Sequence, residues 1–422
     1  MANRREERRL NILHIIPSFQ HPKVRGPDRH YRFLKELAQR HDITLLTLVR
    51  SEIPDEAMQE LSSYAKRIYT FNVIPHSNGS HRSLGGLVPT GSQQLRQFLA
   101  IRSAIGQMKE KFQDLVKDDS FDVVLFHGKI VFPVISDFSR LPIVIDFCDA
   151  TSMRVQKKMN HTTKGRLPLL WLQYLQVRQT ERKMVKKTPY VAFISSRDRQ
   201  AVMGLKDEWQ IIPNGLDLQY WKRTSRQPQP NCLVFTGVMN YSPNEDAAIY
   251  LIDKILPLLR DQVPNLEILI VGRDPTPALL EKARRHPEVI VTGFVEDMRI
   301  YLERAMIFAA PLRFASGMQN KIQEAMAMEV PVVTTSIVAA GMQGADGDNP
   351  PIRVADGAEM FSRSIIDLLG QEAERNRLAA SGRLFAEKHY DWSRSAKQLE
   401  QMCFEAIRNQ ISQIRPLRKL SG

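Results

Sequence analysis

The chain has little cysteine, no long apolar run and no leader-like start. Its 422 residues include three cysteines (Cys148, Cys232 and Cys403), which lie far apart and without CxxC spacing. This pattern argues against a disulfide framework and against a zinc site. No apolar run approaches the roughly 20 residues that a membrane span needs. The opening MANRREERRL is charged but is not followed by the apolar core of a secretory signal. We therefore expect a protein of the reducing cytosol.

The second half of the chain also lacks net charge. The formal net charge is +13, and all of the excess lies in residues 1–210, with 34 basic and 21 acidic residues against 25 of each in 211–422. A basic excess of this kind is typical of contact with nucleic acid, an anionic membrane surface or an acidic substrate. Composition alone does not choose among the three.

Short apolar strands alternate with amphipathic segments along most of the chain, which predicts βαβ units and parallel sheets. The strand candidates are 11–17, 42–49, 67–74, 121–127, 143–147, 190–195, 232–237, 266–272, 289–293, 306–311 and 331–335. A turn cluster at 211–221 interrupts the pattern, and 75–95 is predicted to be a loop. We expect an α/β protein with two Rossmann-like, doubly wound domains over 10–212 and 213–391. The amphipathic segment 392–412 is predicted to be a helix.

Three positions in the first half follow predicted strands, where α/β sheets bind ligands. Arg25 and Gly26 precede a helix whose start favours an anion, although an ordinary strand–helix turn is the alternative. His127 ends the fourth strand, and the fifth is followed by Asp149 after Asp146. An imidazole and a carboxylate at neighbouring strand ends suit the orientation of hydroxyls or proton transfer, but each also suits a cap or turn. No GxGxxG is present, so a dinucleotide fingerprint is not supported.

The most informative segment is 310–335, APLRFASGMQNKIQEAMAMEVPVVTT. A strand leads through Ser316 and Gly317 into a helix predicted over 320–329. Lys321 and Glu324 share one face of that helix. They form either a surface ion pair or a ligand site in which Lys321 binds a phosphate and Glu324 binds a sugar diol.

This segment resembles the donor site of GT-B glycosyltransferases of the family-four type (group 1). The family's motif is written E-x7-E and continues as EAMA-x-G-x-PVV, which EAMAMEVPVV matches closely. Glu324 stands at the second Glu of the motif, which in the family binds the ribose of a nucleotide-sugar. Ser316 stands in place of the first Glu, and Glu329 stands where the family prefers Gly. The resemblance implies a GT-B fold, with two domains facing across a cleft.

Further segments extend the resemblance over most of residues 10–405. IIPNGLD (211–217) is similar to the interdomain segment, and 392–412 is similar to the helix that crosses back to the first domain. VTGFVED (291–297) is similar to the stretch that reads the nucleobase around Phe294 and Val295, and VGRDP (271–275) places Arg273 beside it. The resemblance puts His127 at the donor sugar and Arg25-Gly26 near the acceptor loop.

The resemblance also marks where the diphosphate is expected. In FTGVMNYSPNEDA, Gly237 matches the family, but the basic pair that usually follows is missing. We therefore expect the diphosphate at Lys321, Arg313 and the backbone around Gly237 and Gly317, near the helix start at Asn320. The combination of PLR-x-x-x-G-x-QNK with FTG-x-M-x-Y-x-PN is most similar to sugar transferases of exopolysaccharide clusters.

The resemblance implies transfer of a sugar from a nucleotide-sugar to a lipid-linked or polysaccharide acceptor. It also implies a retained anomeric configuration, with no metal and no cofactor beyond the nucleotide-sugar co-substrate. His127 and Asp149 are expected to orient sugar or acceptor hydroxyls. Two alternatives stay open, a sugar-nucleotide epimerase of GT-B fold and a non-catalytic GT-B binding protein.

Residues 154–187 contain ten basic residues and a single acid, Glu181, among several leucines and Trp171. Such a stretch suits an anionic membrane surface at the inner face of a membrane. The alternative is a long helix whose Leu170, Tyr174, Val177, Met184 and Val185 pack on the sheet. We expect no nucleic-acid partner, because no nucleic-acid-binding module accompanies the charges.

Overall fold

A computed structural model describes residues 8–24, 28–73, 91–160, 167–202, 209–224, 228–314, 318–344 and 346–418. The chain divides into two compact units. Unit 1 comprises Met1–Phe193, Asp198–Ile212 and Ser393–Gly422, and unit 2 comprises Ile194–Arg197 and Pro213–Trp392.

Unit 1 is built on a parallel sheet of seven strands in the order β3-β2-β1-β4-β5-β6-β7. The strands are β1 (Asn11–Ile16), β2 (Asp42–Val49), β3 (Arg67–Asn72), β4 (Val123–Phe126), β5 (Ile143–Cys148), β6 (Val191–Phe193) and β7 (Gln210–Ile211). The central strands are apolar and buried on both faces, as parallel strands covered by helices must be. The strand order reverses between β1 and β4, so the ligand-binding edge of a doubly wound sheet lies there.

The helices of unit 1 connect these strands. They are α1 (Arg29–Leu37), α2 (Asp55–Tyr64), α3 (Gly91–Asp118), a 3-10 helix (Lys129–Val134), α4 (Thr151–Asn160), α5 (Leu167–Lys187) and α6 (Ser196–Ala201). The first five residues of α3 fall in the predicted loop 75–95, so that prediction is wrong for residues 91–95. The remainder of that loop prediction, residues 75–90, lies outside the described residues.

Unit 2 repeats the architecture with a parallel sheet of six strands in the order β10-β9-β8-β11-β12-β13. The strands are β8 (Cys232–Thr236), β9 (Glu267–Val271), β10 (Val289–Gly293), β11 (Ile307–Ala310), β12 (Val332–Thr334) and β13 (Arg353–Val354). The order reverses between β8 and β11. The predicted α/β fold with two Rossmann-like, doubly wound sheets is confirmed.

The helices of unit 2 flank its sheet. They are α7 (Ser242–Tyr250), α8 (Leu256–Arg260), α9 (Pro277–Ala283), α10 (Arg299–Arg304), α11 (Asn320–Ala327), α12 (Ser336–Ala339), α13 (Ala358–Gly370) and α14 (Glu372–His389). A π-helical turn, Leu251–Ile255, joins α7 to α8. The helix predicted over 320–329 ends two residues early, because Glu329 has the left-handed φ of 53°.

The last helix, α15 (Trp392–Arg418), belongs to unit 1 from Ser393 onward. Ala396, Leu399 and Cys403 lie on one side of this helix and are buried, and Ile407 is partly buried. Glu400 anchors it to unit 1, since the carboxylate accepts hydrogen bonds from Arg40 Nε at 2.8 Å and pairs with His41 Nε2 at 2.6 Å. None of the helices in the described residues combines the length and hydrophobicity that a membrane span requires.

Candidate functional site

A cavity of about 390 Å³ lies in unit 2 at the carboxyl ends of its strands. It opens beside the point where the strand order reverses, between β8 and β11, which is where open α/β sheets bind their ligands. Its lining comes from the segments that follow β8, β9 and β10 and from α11. The lining residues are Thr236, Gly237, Val238, Asn244, Gly272, Arg273, Phe294, Val295, Met298, Lys321 and Glu324.

Six predicted donor-site residues therefore meet at one cavity, namely Gly237, Arg273, Phe294, Val295, Lys321 and Glu324. They come from four separate segments of the sequence. Phe294 is 73% exposed and so presents an aromatic ring at the rim of the cavity. An exposed ring beside a polar cavity suits stacking on a planar base.

Lys321 and Glu324 supply the charge of this cavity. Lys321 Nζ donates a hydrogen bond to Asn244 Oδ1 and lies 5.0 Å from the centre of the Phe235 ring. In the described part of the chain, no hydrogen bond or ion pair engages the Glu324 carboxylate. The two side chains therefore do not form the surface ion pair that was the simpler interpretation.

The partial burial of both groups shifts their pKa values toward neutrality. Burial lowers the pKa of Lys321 to about 8, against an opposing effect of the nearby Glu324 charge. Burial likewise raises the pKa of Glu324 to about 7, again opposed by Lys321. The cavity thus contains a cation and an anion, and a ligand that replaces their lost solvation would stabilise both charges.

Two glycines let the backbone segments approach each other at the floor of the cavity. Gly272 has φ 146°, and a Cβ there would lie 1.8 Å from the carbonyl oxygen of Gly237. A Cβ on Gly237 would lie 2.6 Å from Asn244 Nδ2. Gly237 N also donates to Val271 O at 3.0 Å. Any side chain at residue 272 would therefore push apart the turns after β8 and β9.

Asn244 is the main site residue that sequence reasoning missed. It lies in the first turn of α7, where Nδ2 donates to Val238 O at 2.9 Å and Oδ1 accepts from Lys321. The side chain therefore ties the turn after β8 to the cation on α11. The motif containing Asn244 was recognised, but its role depends on a contact with a residue 77 positions away.

Among the remaining predicted donor-site residues, the two that the structure describes, Arg313 and Asn320, do not line the cavity. Arg313 pairs with the Asp246 carboxylate, with Nε 3.0 Å from Oδ2, and its guanidinium lies 4.8 Å from the Tyr250 ring centre. Asn320 begins α11 but is not among the lining residues. The predictions for Ser316, Gly317, Arg25 and Gly26 lie outside the described residues.

In unit 1, His127 lies at the carboxyl end of β4 and contacts Asp146 rather than Asp149. Its Nδ1 donates to the Asp146 backbone oxygen at 2.8 Å. Burial, followed by the charge of His30, lowers the pKa of His127 to about 3. The ring is therefore neutral near pH 7, and with the proton on Nδ1 its Nε2 is a hydrogen-bond acceptor.

The Asp149 carboxylate is paired with two cations instead. Arg154 NH1 lies 3.2 Å from Oδ2, and Lys129 Nζ lies 3.8 Å from Oδ1. The predicted combination of His127 with Asp149 is therefore not seen among the contacts of either side chain.

A buried polar network that the sequence did not reveal supports His127. Arg29 Nε donates to Asp146 Oδ2 at 2.7 Å, and Arg29 NH2 donates to Ile212 O at 2.8 Å. His30 Nε2 lies 3.2 Å from Asp146 Oδ2, and the His30 and His127 rings lie 4.1 Å apart. Burial would raise the pKa of Asp146, but Arg29 and then His30 hold it well below its usual range.

The oxygen and nitrogen atoms of His30, His127 and Asp146 lie close enough together to hold a metal ion. The Arg29 guanidinium already neutralises Asp146 at 2.7 Å. A second positive charge at the same carboxylate would be repelled, so the geometry favours a structural ion pair over a metal centre.

Comparisons with known proteins agree with this geometry. Residues 230–371, within unit 2, match the family model described as glycosyl transferases group 1. No curated protein sequence is significantly similar to the chain.

Solved structures resemble the whole chain at low identity. A glycosyltransferase from Rickettsia africae has a TM-score of 0.65 at 12% identity, covering 95% of this chain and 99% of its own. Sucrose-phosphate synthase from Thermosynechococcus elongatus has a TM-score of 0.63 at 15%, with 94% and 99% covered. HepE from Anabaena, in complex with UDP and glucose, has a TM-score of 0.59 at 14%, with 94% and 100% covered.

At these identities the structural likeness establishes the fold, which is that of GT-B glycosyltransferases. The group 1 glycosyl transferase match covers the unit that contains the cavity. The comparisons therefore show a GT-B fold for the chain and a group 1 glycosyl transferase match for residues 230–371.

Proposed function

We propose that the protein transfers a sugar from a nucleotide-sugar to the hydroxyl of a lipid-linked or polysaccharide acceptor. The observation that carries this proposal is the cavity of unit 2, where Lys321 and Glu324 lie between an exposed aromatic ring and a floor of glycine backbone. The Anabaena structure in complex with UDP and glucose supports a nucleotide-sugar as the donor class.

Each part of the donor has a matching group in the cavity. Phe294 offers its ring to the base, and the Glu324 carboxylate accepts hydrogen bonds from the ribose hydroxyls. Lys321 places its positive charge at the diphosphate, next to the backbone of Gly237. Charge-assisted hydrogen bonds of this kind contribute about 1.5–3 kcal/mol each.

Transfer breaks the bond between the anomeric carbon and the oxygen of the β-phosphate, and it forms a bond from that carbon to the acceptor oxygen. The acceptor hydroxyl loses its proton, and the nucleoside diphosphate leaves with the bonding electrons. Negative charge therefore grows on the diphosphate, where the Lys321 ammonium stabilises it. We propose that this cation serves in place of a metal, and that the anomeric configuration is retained.

The finer assignments are proposals of the same kind. A hexosyl donor and an exopolysaccharide product follow from the motif resemblance. His127, with an acceptor nitrogen at Nε2, is proposed to receive a hydrogen bond from a sugar or acceptor hydroxyl. Asp149, which pairs with Arg154 and Lys129, is proposed to orient a hydroxyl independently of His127. The basic segment 154–187 is proposed to bring the enzyme to an anionic membrane surface, where a lipid-linked acceptor would be found.

A screen of nucleotide-sugars tests the proposal directly. We expect one family of nucleotide-sugars to raise the melting temperature, and the same donor to be hydrolysed or transferred. Lys321→Ala should abolish turnover without changing the melting temperature of the free protein by more than a few degrees. Lys254→Ala, an exposed lysine of the same unit, is the matched control. Normal turnover by Lys321→Ala would contradict the diphosphate assignment, and interconversion of the donor without an acceptor would point to an epimerase.

A further inference from the structure

Two helices of unit 1 expose apolar side chains where the sheet cannot cover them. On α3 these are Leu95, Phe98 and Leu99, and on α5 they are Leu169, Trp171, Leu172 and Leu175. Every one of these side chains is more than half exposed. Scattered surface leucines are ordinary, but seven large, exposed apolar side chains at the ends of two helices exceed such scatter and mark an interaction surface.

The apolar stripe of α3 faces away from the core of unit 1. The buried positions of α3 are Ala104, Met108, Phe112, Leu115 and Val116. At about 100° per residue, the stripe of Leu95, Phe98 and Leu99 lies roughly 120° around the helix from that buried face. Ile101 is the first described side chain of α3 that packs on the core, so 91–100 form a helical length of about 15 Å that precedes the packed part of the helix.

The start of α5 projects in the same way. Ser152, just after β5, donates its backbone N–H to Glu181 Oε1 at 3.1 Å. Glu181 therefore lies level with the carboxyl edge of the sheet, and residues 167–180 run beyond that edge for about 20 Å. The apolar side chains exposed on this stretch lie opposite the face on which Leu170, Met184 and Val185 are buried.

Topology places the two projecting ends together. The connections from β3 to β4 and from β5 to β6 cross the sheet in the same direction, so right-handed crossovers put α3 and α5 on one face. Both helices begin at the carboxyl edge, and both pack against the 3-10 helix Lys129–Val134. The exposed stripes of α3 and α5 thus lie on one face at one edge of unit 1, and we call them the apolar edge.

The charge beside the apolar edge is mainly basic. Residues 91–109 contain Arg96, Arg102 and Lys109 and no acid, and Lys109 pairs with Asp137 at 3.1 Å. On α5 the exposed residues after the apolar stretch include Arg182, Lys183 and Lys186. The single acid of 154–187, Glu181, is buried, with its carboxylate on Ser152 N and 3.9 Å from Lys129 Nζ. The solvent-facing side of α5, and of α3 before Glu110, is therefore apolar and mainly cationic.

We propose that the apolar edge docks on a bilayer containing anionic phospholipid, with Trp171 and the leucines in the interfacial region and the cations at the headgroups. Insertion of apolar side chains flanked by lysine and arginine is the pattern of interfacial helices. The earlier proposal concerned only the basic segment 154–187. The present one adds the helix α3 and names the side chains that insert into the membrane. The membrane proposal rests on the proposed function in one respect, which is that a lipid-linked acceptor would be found at the membrane.

Vesicle binding by the full chain tests this. The protein is sedimented with phosphatidylcholine vesicles, with and without phosphatidylglycerol. We expect binding that requires phosphatidylglycerol and that falls about tenfold in Phe98→Glu and in Leu172→Glu. Leu384→Glu, at an equally exposed leucine of unit 2, is the control and should bind as the natural chain does.

Quenching by brominated phospholipid tests the inserted side chain. Of the four tryptophans, Trp209 and Trp392 are buried and Trp221 is partly buried, so Trp171 is the one expected to reach lipid. We expect quenching in the natural chain and its loss in Trp171→Phe, which keeps an apolar side chain. Binding that neither glutamate variant weakens would overturn the proposal.

Two further outcomes separate this proposal from its alternatives. Concentration-dependent dimers that Leu172→Glu disrupts, without vesicle binding, would overturn the proposal and identify a second copy of the chain as the partner. Donor hydrolysis in the absence of vesicles is measured on the same variants. Lost vesicle binding with normal donor hydrolysis supports the apolar edge, whereas absent hydrolysis in the natural chain contradicts the proposed function and leaves the binding result intact.

Discussion

Asn244 holds the cation of the candidate donor site, since its Oδ1 accepts a hydrogen bond from Lys321 Nζ. The same side chain donates from Nδ2 to Val238 O at 2.9 Å. One amide therefore fixes both the ammonium on α11 and the turn after β8, which are the two elements proposed to hold the diphosphate.

Replacing Asn244 by Ala should weaken diphosphate binding about tenfold or more, because a hydrogen bond to a charged group contributes about 1.5–3 kcal/mol. The loss should be large for the nucleoside diphosphate and small for the matching nucleoside, which does not reach Lys321. Calorimetry with both ligands gives this difference. Asn349→Ala, at an exposed asparagine of the same unit, is the control. An equal loss for both ligands would show that Asn244 maintains the fold and does not position Lys321.

The pH dependence of donor affinity should have two limbs. Glu324, with its pKa raised to about 7, must be ionised to accept from ribose hydroxyls, so affinity should fall as pH drops below about 7. Lys321, with its pKa lowered to about 8, must be protonated to meet the diphosphate, so affinity should fall above about 8. The binding constant, measured by calorimetry across this range, should be greatest between the two values.

The two limbs should be separable by mutation. Glu324→Gln should remove the acidic limb, and Lys321→Met should remove the alkaline limb while lowering affinity throughout. A limb that survives the loss of its residue belongs to another group.

The same shifts predict the stability of the free protein. Because the pKa of Glu324 is higher in the folded than in the unfolded protein, Glu324 stabilises the fold at pH values below its unfolded-state pKa. This stabilisation is lost as pH rises through about 7. Because the pKa of Lys321 is lower in the folded than in the unfolded protein, Lys321 stabilises the fold at pH values above its unfolded-state pKa. This stabilisation is lost as pH falls through about 8. Both contributions are therefore absent between pH 7 and 8, where a bound donor should give its largest stabilisation. Melting temperatures with and without nucleotide, measured from pH 6 to 9, check this.

Glu329 gives a stability prediction. Glu329 N donates to Met326 O at 3.1 Å and Val330 N donates to Ala325 O at 2.9 Å, which is the Schellman pattern that ends a helix. Glu329 adopts the left-handed φ of 53° that this pattern demands and that favours glycine. Glu329→Gly should therefore raise the free energy of unfolding by about 1 kcal/mol in urea. Glu329→Ala, which keeps the Cβ, should show no gain, and a destabilised glycine variant would contradict this account.

The two sheets could be predicted from the sequence because buried parallel strands are near-continuous apolar runs. Gly237, Phe294 and Lys321 were grouped through the family resemblance, and they line one cavity because residues just after parallel strands meet at one edge of the sheet. The two-residue strands β7 and β13 were not predicted because they are too short to show a period. The predicted helix included Glu329, although the related family prefers Gly there, and the left-handed φ of Glu329 shows that the helix has already ended.

Side-chain partners were the part that sequence could not supply. Arg313 was expected at the diphosphate, but Asp246 lies within reach and pairs with it. Asp146 was noticed beside its strand, but its partner Arg29 is 117 residues away. Whether a charged residue faces a ligand or another residue is decided by such long-range contacts, which leave no local pattern.

Removing one partner of the buried Arg29–Asp146 pair should lower the free energy of unfolding more than replacing both residues with apolar side chains. Arg29→Met leaves the Asp146 carboxylate buried with only His30 beside it, and loss of one partner of a buried pair costs about 3–5 kcal/mol. The double change Arg29→Met with Asp146→Leu removes both charges and should be more stable than Arg29→Met alone. Arg9→Met is the control, since Arg9 is 62% exposed in its pair with Asp42 and should cost less than about 1 kcal/mol. Urea unfolding of the three variants measures these differences. A double variant less stable than Arg29→Met would show that Asp146 stabilises unit 1 through His30 and His127 rather than through Arg29.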